Sequence, residues 1–203
     1  MTLGGACGHS GDVSAPDDDV PAPAPTAARA AGGSDAAAAP GPRMHQHAVT
    51  PDDWEAQRAV RLAMLDAAPD AFWFTYADEA VYDEADWRER IEGAWLVQAR
   101  DADGVIGSAG LGSHWEPERA TTATLFGMYV APRARGRGVG EALVHAVLDE
   151  ARRLGKSEVV LEVTSSNTAA EALYTRCGFE RTGAVHDHPR RPDLSEIEMA
   201  HRL

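Results

Sequence analysis

The sequence predicts a mixed α/β fold, and three observations carry that reading. Apolar runs of strand length alternate with stretches of helical periodicity from residue 45 onward. Asp103-Gly104 separates two such runs, residues 95–99 and 105–109, and is a hairpin signal that makes the pair antiparallel. Runs 123–130 and 159–163 flank a helical pattern, a strand–helix–strand unit that requires a right-handed crossover and a parallel pair.

Taken in order, residues 1–43 are dominated by Ala, Pro, Gly, Ser and Asp. Nothing there offsets the entropy of ordering, so a disordered leader is expected ahead of one domain over 44–203. Met44 opens the first globular-looking stretch, and a translation start there is a second reading. Residues 45–49 suit a short strand. Thr50-Pro51-Asp52-Asp53 then offers an N-cap, a first-turn proline and acidic residues for a helix whose apolar side is Ala59, Leu62, Ala63 and Leu65. Pro69 stops it. Phe72-Trp73-Phe74-Thr75-Tyr76 is the most aromatic stretch, and a second helical pattern spans about 83–91 around Trp87. Residues 113–121 are polar and read as a loop.

Pro132 ends the strand 123–130, and Val139, Leu143, Val144, Val147, Leu148 and Ala151 recur at helical spacing up to a glycine stop at Gly155. The nearly continuous apolar run 159–163 suits a buried parallel strand. Asn167 suits the N-cap of a helix that sets Ala170, Leu173, Tyr174 and Cys177 on one face, with Gly178 as its stop. Segments 179–185 and 195–203 complete the sheet.

With 203 residues and a formal net charge of −13, the chain suits one domain and a tail, and its acidity argues against nucleic-acid binding. No apolar run approaches a membrane span and no targeting pattern precedes the domain, so a soluble cytoplasmic protein is expected. Cys7 and Cys177 read as free thiols. His45-x-His47 and His186-x-His188 each resemble half of a metal site, but no Cys or acidic ligand stands at a supporting spacing, and no metal is expected. Asp187, Pro189 and Arg190 read as an exposed turn, and Arg190-Arg191 as a solvated pair.

The loop that joins strand 123–130 to the following helix holds Arg135-Gly136-Arg137-Gly138-Val139-Gly140. Glycines let backbone N–H groups approach an anion, the new helix adds its positive dipole end, and the arginines add charge. A Walker loop would need Gly-Lys-Ser/Thr and a dinucleotide loop Gly-x-Gly-x-x-Gly; neither spacing fits. A tight turn with solvated arginines is the plain alternative.

Three signatures in order resemble the GNAT (GCN5-related N-acetyltransferase) superfamily: the strand end Met128-Tyr129-Val130, Arg135-x-x-Gly138-x-Gly140, and Asn167-x-x-Ala170-x-x-Leu173-Tyr174-x-x-x-Gly178-Phe179. The match is close over 123–185 and looser before it. It implies the acyl-CoA N-acyltransferase fold, a mostly antiparallel sheet with one splayed parallel pair and flanking helices. It implies acetyl-CoA as acyl donor in the splay, the pantetheine arm along Met128, Tyr129 and Val130, the pyrophosphate at Arg135, Gly136, Arg137, Gly138, Val139 and Gly140, and Asn167 touching the cofactor.

In the implied reaction a primary amine of a small molecule or protein attacks the thioester directly, and Tyr174 stands where the family places the general acid. Many relatives carry an acidic residue about four positions before Met128, where this chain has Thr124. The base is left open among Glu162, mid-strand in the adjacent strand, His114, Glu116 and Glu118 in a loop that could approach, and water relayed by a carboxylate; a satisfied sheet-face residue is the bland reading of Glu162. Each aromatic of 72–76 taken singly reads as packing on the sheet, and the cluster between two helices also suits the wall of an acceptor pocket. The resemblance allows a homodimer, although no unaccounted apolar stretch demands one. An acyl-CoA-binding sensory module with little turnover, and a phosphate-binding domain for another nucleotide, are the competing functional classes.

Overall fold

The computed structural model describes residues 44–203; the expected leader 1–43, with Cys7, lies outside them. Along the chain run β1 (His45–Ala48), α1 (Trp54–Ala67), α2 (Tyr76–Ala80), α3 (Glu84–Glu92), β2 (Trp95–Asp101), β3 (Gly104–Ser113), β4 (Thr122–Val130), α4 (Val139–Arg153), β5 (Glu158–Thr164), α5 (Thr168–Arg176), β6 (Glu180–Asp187) and β7 (Ser195–Arg202). The strands form one sheet in the order β1-β2-β3-β4-β5-β7-β6, with β4–β5 its single parallel pair among the described residues.

The period-2 alternation of the strands assigns the helices to faces. Val97 and Ala99 turn to the face covered by α4, where Leu143, Val144, Val147 and Leu148 close the main core. Gln98 turns the other way, and its Nε2 donates to Gln57 Oε1 of α1 at 2.9 Å. On that second face Leu62, Met64 and Leu65 pack with Phe72, Ala80 and Tyr129. Each apolar side chain fully buried in these layers contributes about 1.5–3 kcal/mol.

β3 runs to Ser113, past the 105–109 expected from sequence, because Gly110 and Gly112 leave room for the Phe126 ring lying across them. Helix α2 had no counterpart in the sequence reading. It is nucleated by a capping box in which Thr75 Oγ1 accepts from Asp78 N and the Asp78 carboxylate accepts from Thr75 N. The fully buried Glu79 anchors it, accepting from Arg61 of α1 and Arg90 of α3.

Two irregularities open the centre of the sheet. Gly110 pairs with Phe126 but Ser108 with Tyr129, so β4 carries one extra residue, a bulge at Gly127 with φ +60°. Pairing of β4 with β5 covers only Thr122↔Glu158, Ala123↔Val159 and Thr124↔Val160. Beyond Thr124 the edge of β4 that faces β5 has no strand on it among the described residues.

Candidate active site

The open edge of β4 leads into the glycine and arginine loop. Gly136 and Gly138 both have positive φ, +72° and +76°, a conformation that only glycine adopts at low cost. Gly138 is the N-cap of α4, so the first N–H groups of that helix face the loop without intrahelical acceptors. Gly140 serves packing instead: a Cβ there would stand 3.0 Å from Leu173 Cδ2, so its absence lets α4 approach α5. The arginines are not a uniformly solvated set. Arg135 Nε donates to the Val130 carbonyl at 3.1 Å and braces the strand end, while Arg133 donates to Asp101 at 2.9 Å and holds that carboxyl below its ordinary range. Asn167 caps α5, its Oδ1 accepting from Ala170 N at 3.2 Å.

Tyr174 lies inside the core on α5, its ring 5.9 Å from that of Phe179. Burial, with a smaller contribution from Cys177, pushes its phenol well above the usual tyrosine range. The group stays protonated throughout the neutral range.

On the opposite face of the splay lies a cavity of about 220 Å³ lined by Thr124, Glu162, His114, Trp115, His186 and Glu198, among others. Register explains the gathering. Glu162 and Glu198 are direct partners across β5 and β7, and Glu196, two residues from Glu198, shares their face and pairs with His186. Burial raises the Glu162 carboxyl above the ordinary carboxylate range, the Glu196 charge adds to this, and His186, 3.9 Å away, works against it. Arg119 Nη1 donates to Glu198 at 3.0 Å and also reaches Glu158. His114 Nδ1 accepts from Glu116 N at 3.1 Å, which puts the proton of the neutral ring on Nε2. Thr124 Oγ1 is sealed from solvent and has no hydrogen-bond partner among the described residues. A larger cavity, about 380 Å³, opens around Trp95, Leu154 and Lys156 near the start of β4, away from the glycine loop.

Near the acidic cavity Asp187, Pro189 and Arg190 are exposed, as expected, although Asp187 still belongs to β6. His188 is buried: its Nε2 donates to the Asp70 carbonyl at 3.0 Å, while Nδ1 accepts from the amides of Arg190 and Arg191. Arg190 donates to the carbonyls of Pro69 and Phe72, and Arg191 pairs with Asp70 at 2.7 Å. Both arginines therefore clasp the segment after α1 and are not simply solvated. That segment carries Trp73, whose Nε1 donates to Glu196 at 3.1 Å. Of the loop candidates, His114 and Glu116 line the cavity, and Glu118 is not among its lining residues.

Sequence reasoning missed Glu196, Glu198, Arg119 and the clasp. The alternation Glu196-Ile197-Glu198-Met199 signals two carboxylates on one face, but nothing local says that the face adjoins Glu162. The clasp joins residues 118 or more positions apart and leaves no local pattern.

The model of the acetyltransferase (GNAT) family matches residues 61–179. A mycothiol acetyltransferase of Clavibacter sepedonicus is 34% identical over 145 residues, 69% of this chain and 42% of that protein, so the chain spans less than half of that relative's length. The structure of a ribosomal-protein-alanine N-acetyltransferase from Brucella melitensis superposes with a TM-score of 0.67 at 23% identity, over 78% of this chain and 99% of that one. A GCN5-related N-acetyltransferase from Kribbella flavida superposes with a TM-score of 0.62 at 26% identity, over 79% of this chain and 98% of that one.

Proposed function

Since the chain belongs to the acetyltransferase (GNAT) family, we propose that it is an acetyl-CoA-dependent N-acetyltransferase acting on a primary amine. The observation that carries this reading is the junction at the splay. The open β4 edge leads to the glycine loop, while a carboxylate-lined cavity meets β4 and β5 where their pairing stops.

The residues fit acetyl-CoA. The backbone of Met128, Tyr129 and Val130 borders the gap left by β5 and offers strand-like hydrogen bonds to an amide-bearing arm. Gly136, Gly138 and the first N–H groups of α4 suit a pyrophosphate, with Arg137 adding charge and Arg135 holding the strand end. Bound acetyl-CoA supplies the acetyl group as a thioester.

Glu162 takes the proton that an ammonium must lose before its nitrogen can attack, and its raised pKa brings it closer to that task. The nitrogen–carbon bond forms as the carbon–sulfur bond breaks, and the second proton, shed by the nitrogen once it is acylated, replaces the one that the departing sulfur takes from Tyr174. Tyr174, kept protonated by burial, gives its proton to the departing sulfur. Thr124, at the position where many relatives are acidic, leaves the base role to Glu162 on the neighbouring strand.

Thiol release with acetyl-CoA and a panel of primary amines tests the proposal, together with Glu162→Gln and Tyr174→Phe. Amine-dependent release, lost in both variants while acetyl-CoA still raises the melting temperature, is the expected result. Binding of acetyl-CoA without release on any amine would indicate the sensory module. Stabilisation by ATP but not by acetyl-CoA would indicate a different nucleotide.

A further inference from the structure

We propose that Arg135 is a stop on the donor groove, which the diphosphate of an acyl-CoA draws aside and a thioester without a diphosphate does not; this rests on the acetyltransferase reading above. Strand alternation places the stop. The Ala131 N–H donates to the Ile106 carbonyl at 2.9 Å, so Ala131 faces β3. Val130, one residue earlier and opposite Gly107, therefore turns its own N–H and carbonyl to the other edge of β4. That is the edge left open where pairing with β5 ends. Arg135 Nε donates to this Val130 carbonyl at 3.1 Å, so the guanidinium stands on the edge along which a strand-like arm would lie. The oxygen has a second lone pair, but the guanidinium also fills space beside it.

The arginines of this region divide the work. Arg133 is tied to the buried Asp101 carboxylate at 2.9 Å, a charge-assisted bond that keeps it where it is. Arg137 is exposed and gives the loop a standing charge. Arg135 differs from both, because its side-chain partner is a neutral carbonyl at an exposed position, which is a weak hold. A diphosphate at Gly136, Gly138 and the first N–H groups of α4 offers the same guanidinium charged oxygens in bidentate geometry, the stronger bond. Only a donor that carries a diphosphate gains from the exchange. Its arm then finds the Val130 carbonyl released to accept an amide N–H. A pantetheine thioester alone has to displace Arg135 with nothing to offer the guanidinium in return. Recognition of a distant phosphate thereby becomes access to the groove.

The test compares two acetyl thioesters on the full chain by binding titration: acetyl-CoA, and S-acetylpantetheine, which carries the same arm without the diphosphate. Arg135→Ala is expected to move their affinities in opposite directions, acetyl-CoA about tenfold weaker and S-acetylpantetheine about threefold tighter or more. Arg137→Ala is expected to weaken acetyl-CoA alone. On the wild-type chain, where no variant has to fold, inorganic pyrophosphate is expected to tighten S-acetylpantetheine about threefold by drawing Arg135 aside. The stop is overturned, and the acetyltransferase reading left standing, by any of three results: S-acetylpantetheine bound no more tightly by Arg135→Ala, tightened as much by Arg137→Ala, or unaffected by pyrophosphate. Acetyl-CoA bound as tightly by Arg135→Ala as by the wild type overturns the exchange with the diphosphate, and the proposal with it. Neither a melting shift nor thiol release with acetyl-CoA on the wild-type chain overturns both readings.

Discussion

In the proposed reaction Glu162 and Tyr174 belong to different elements, β5 and α5, and their opposite protonation demands are met by different surroundings. A base must be deprotonated to act, so activity is present above the Glu162 pKa and lost as pH falls through it. Because burial and Glu196 raise that pKa, the acid limb of kcat/KM should lie above the ordinary carboxylate range. Removing the like charge with Glu196→Gln should move that limb to lower pH, whereas a limb that stays put would separate Glu196 from the base. Glu162→Gln should cost about 10²–10⁴ in kcat and remove the limb. Tyr174→Phe should lower kcat with little change in acetyl-CoA affinity, read by single-turnover kinetics beside a binding titration. The raised phenol pKa also means that deprotonation of Tyr174 should contribute no basic limb below about pH 10.

At the level of elements, the site exists because β4 bends at Gly127 and stops pairing with β5 at Thr124. The strand end then delivers the chain to Gly138, whose left-handed backbone starts α4. Gly138→Ala should cost about 1–2 kcal/mol in a urea melt, the penalty for placing a Cβ in that region, and should weaken acetyl-CoA binding by distorting the first N–H groups of the helix. Unchanged stability would mean that the loop relaxes to another path. The β6–β7 hairpin makes a different contribution, since Arg190, Arg191 and His188 hold residues 69–72 and thereby Trp73 against Glu196. Arg190→Ala should raise the acceptor KM several-fold and speed proteolytic cleavage within 68–76, with acetyl-CoA affinity preserved. A rise in the acetyl-CoA Kd of the same size would show that the clasp supports the whole sheet.

Across the molecule, what the sequence made legible divides by the range of the forces involved. The strand–helix–strand unit and the α4 and α5 stops follow from local periodicity and glycine chemistry and lie where that chemistry put them, while the hairpin turns one residue earlier than expected, at Ala102-Asp103, with Gly104 opening β3. Helix α2 escaped because its aromatic neighbourhood hides a Thr75-x-x-Asp78 cap, and β3 was read short because its glycines serve the Phe126 ring. The acidic face was illegible for another reason: it takes register across β5, β6 and β7 to bring Glu162, Glu196 and Glu198 together. That face adds local carboxylates to a chain whose formal net charge is −13. A cationic acceptor is drawn by both the global field and the local carboxylates, so the two effects add. Acetyl-CoA is an anion repelled by the global field and attracted by the arginine loop, so for it the two effects oppose. Raising salt from 0.01 M to 0.1 M shortens the screening length from about 30 Å to about 10 Å and removes mainly the global part. The acceptor KM should therefore rise with salt, whereas the acetyl-CoA KM should fall or stay level, in initial-rate measurements with the other substrate saturating. Parallel rises of equal slope would mean that the acidic face does not steer the acceptor, and that its carboxylates act only on contact.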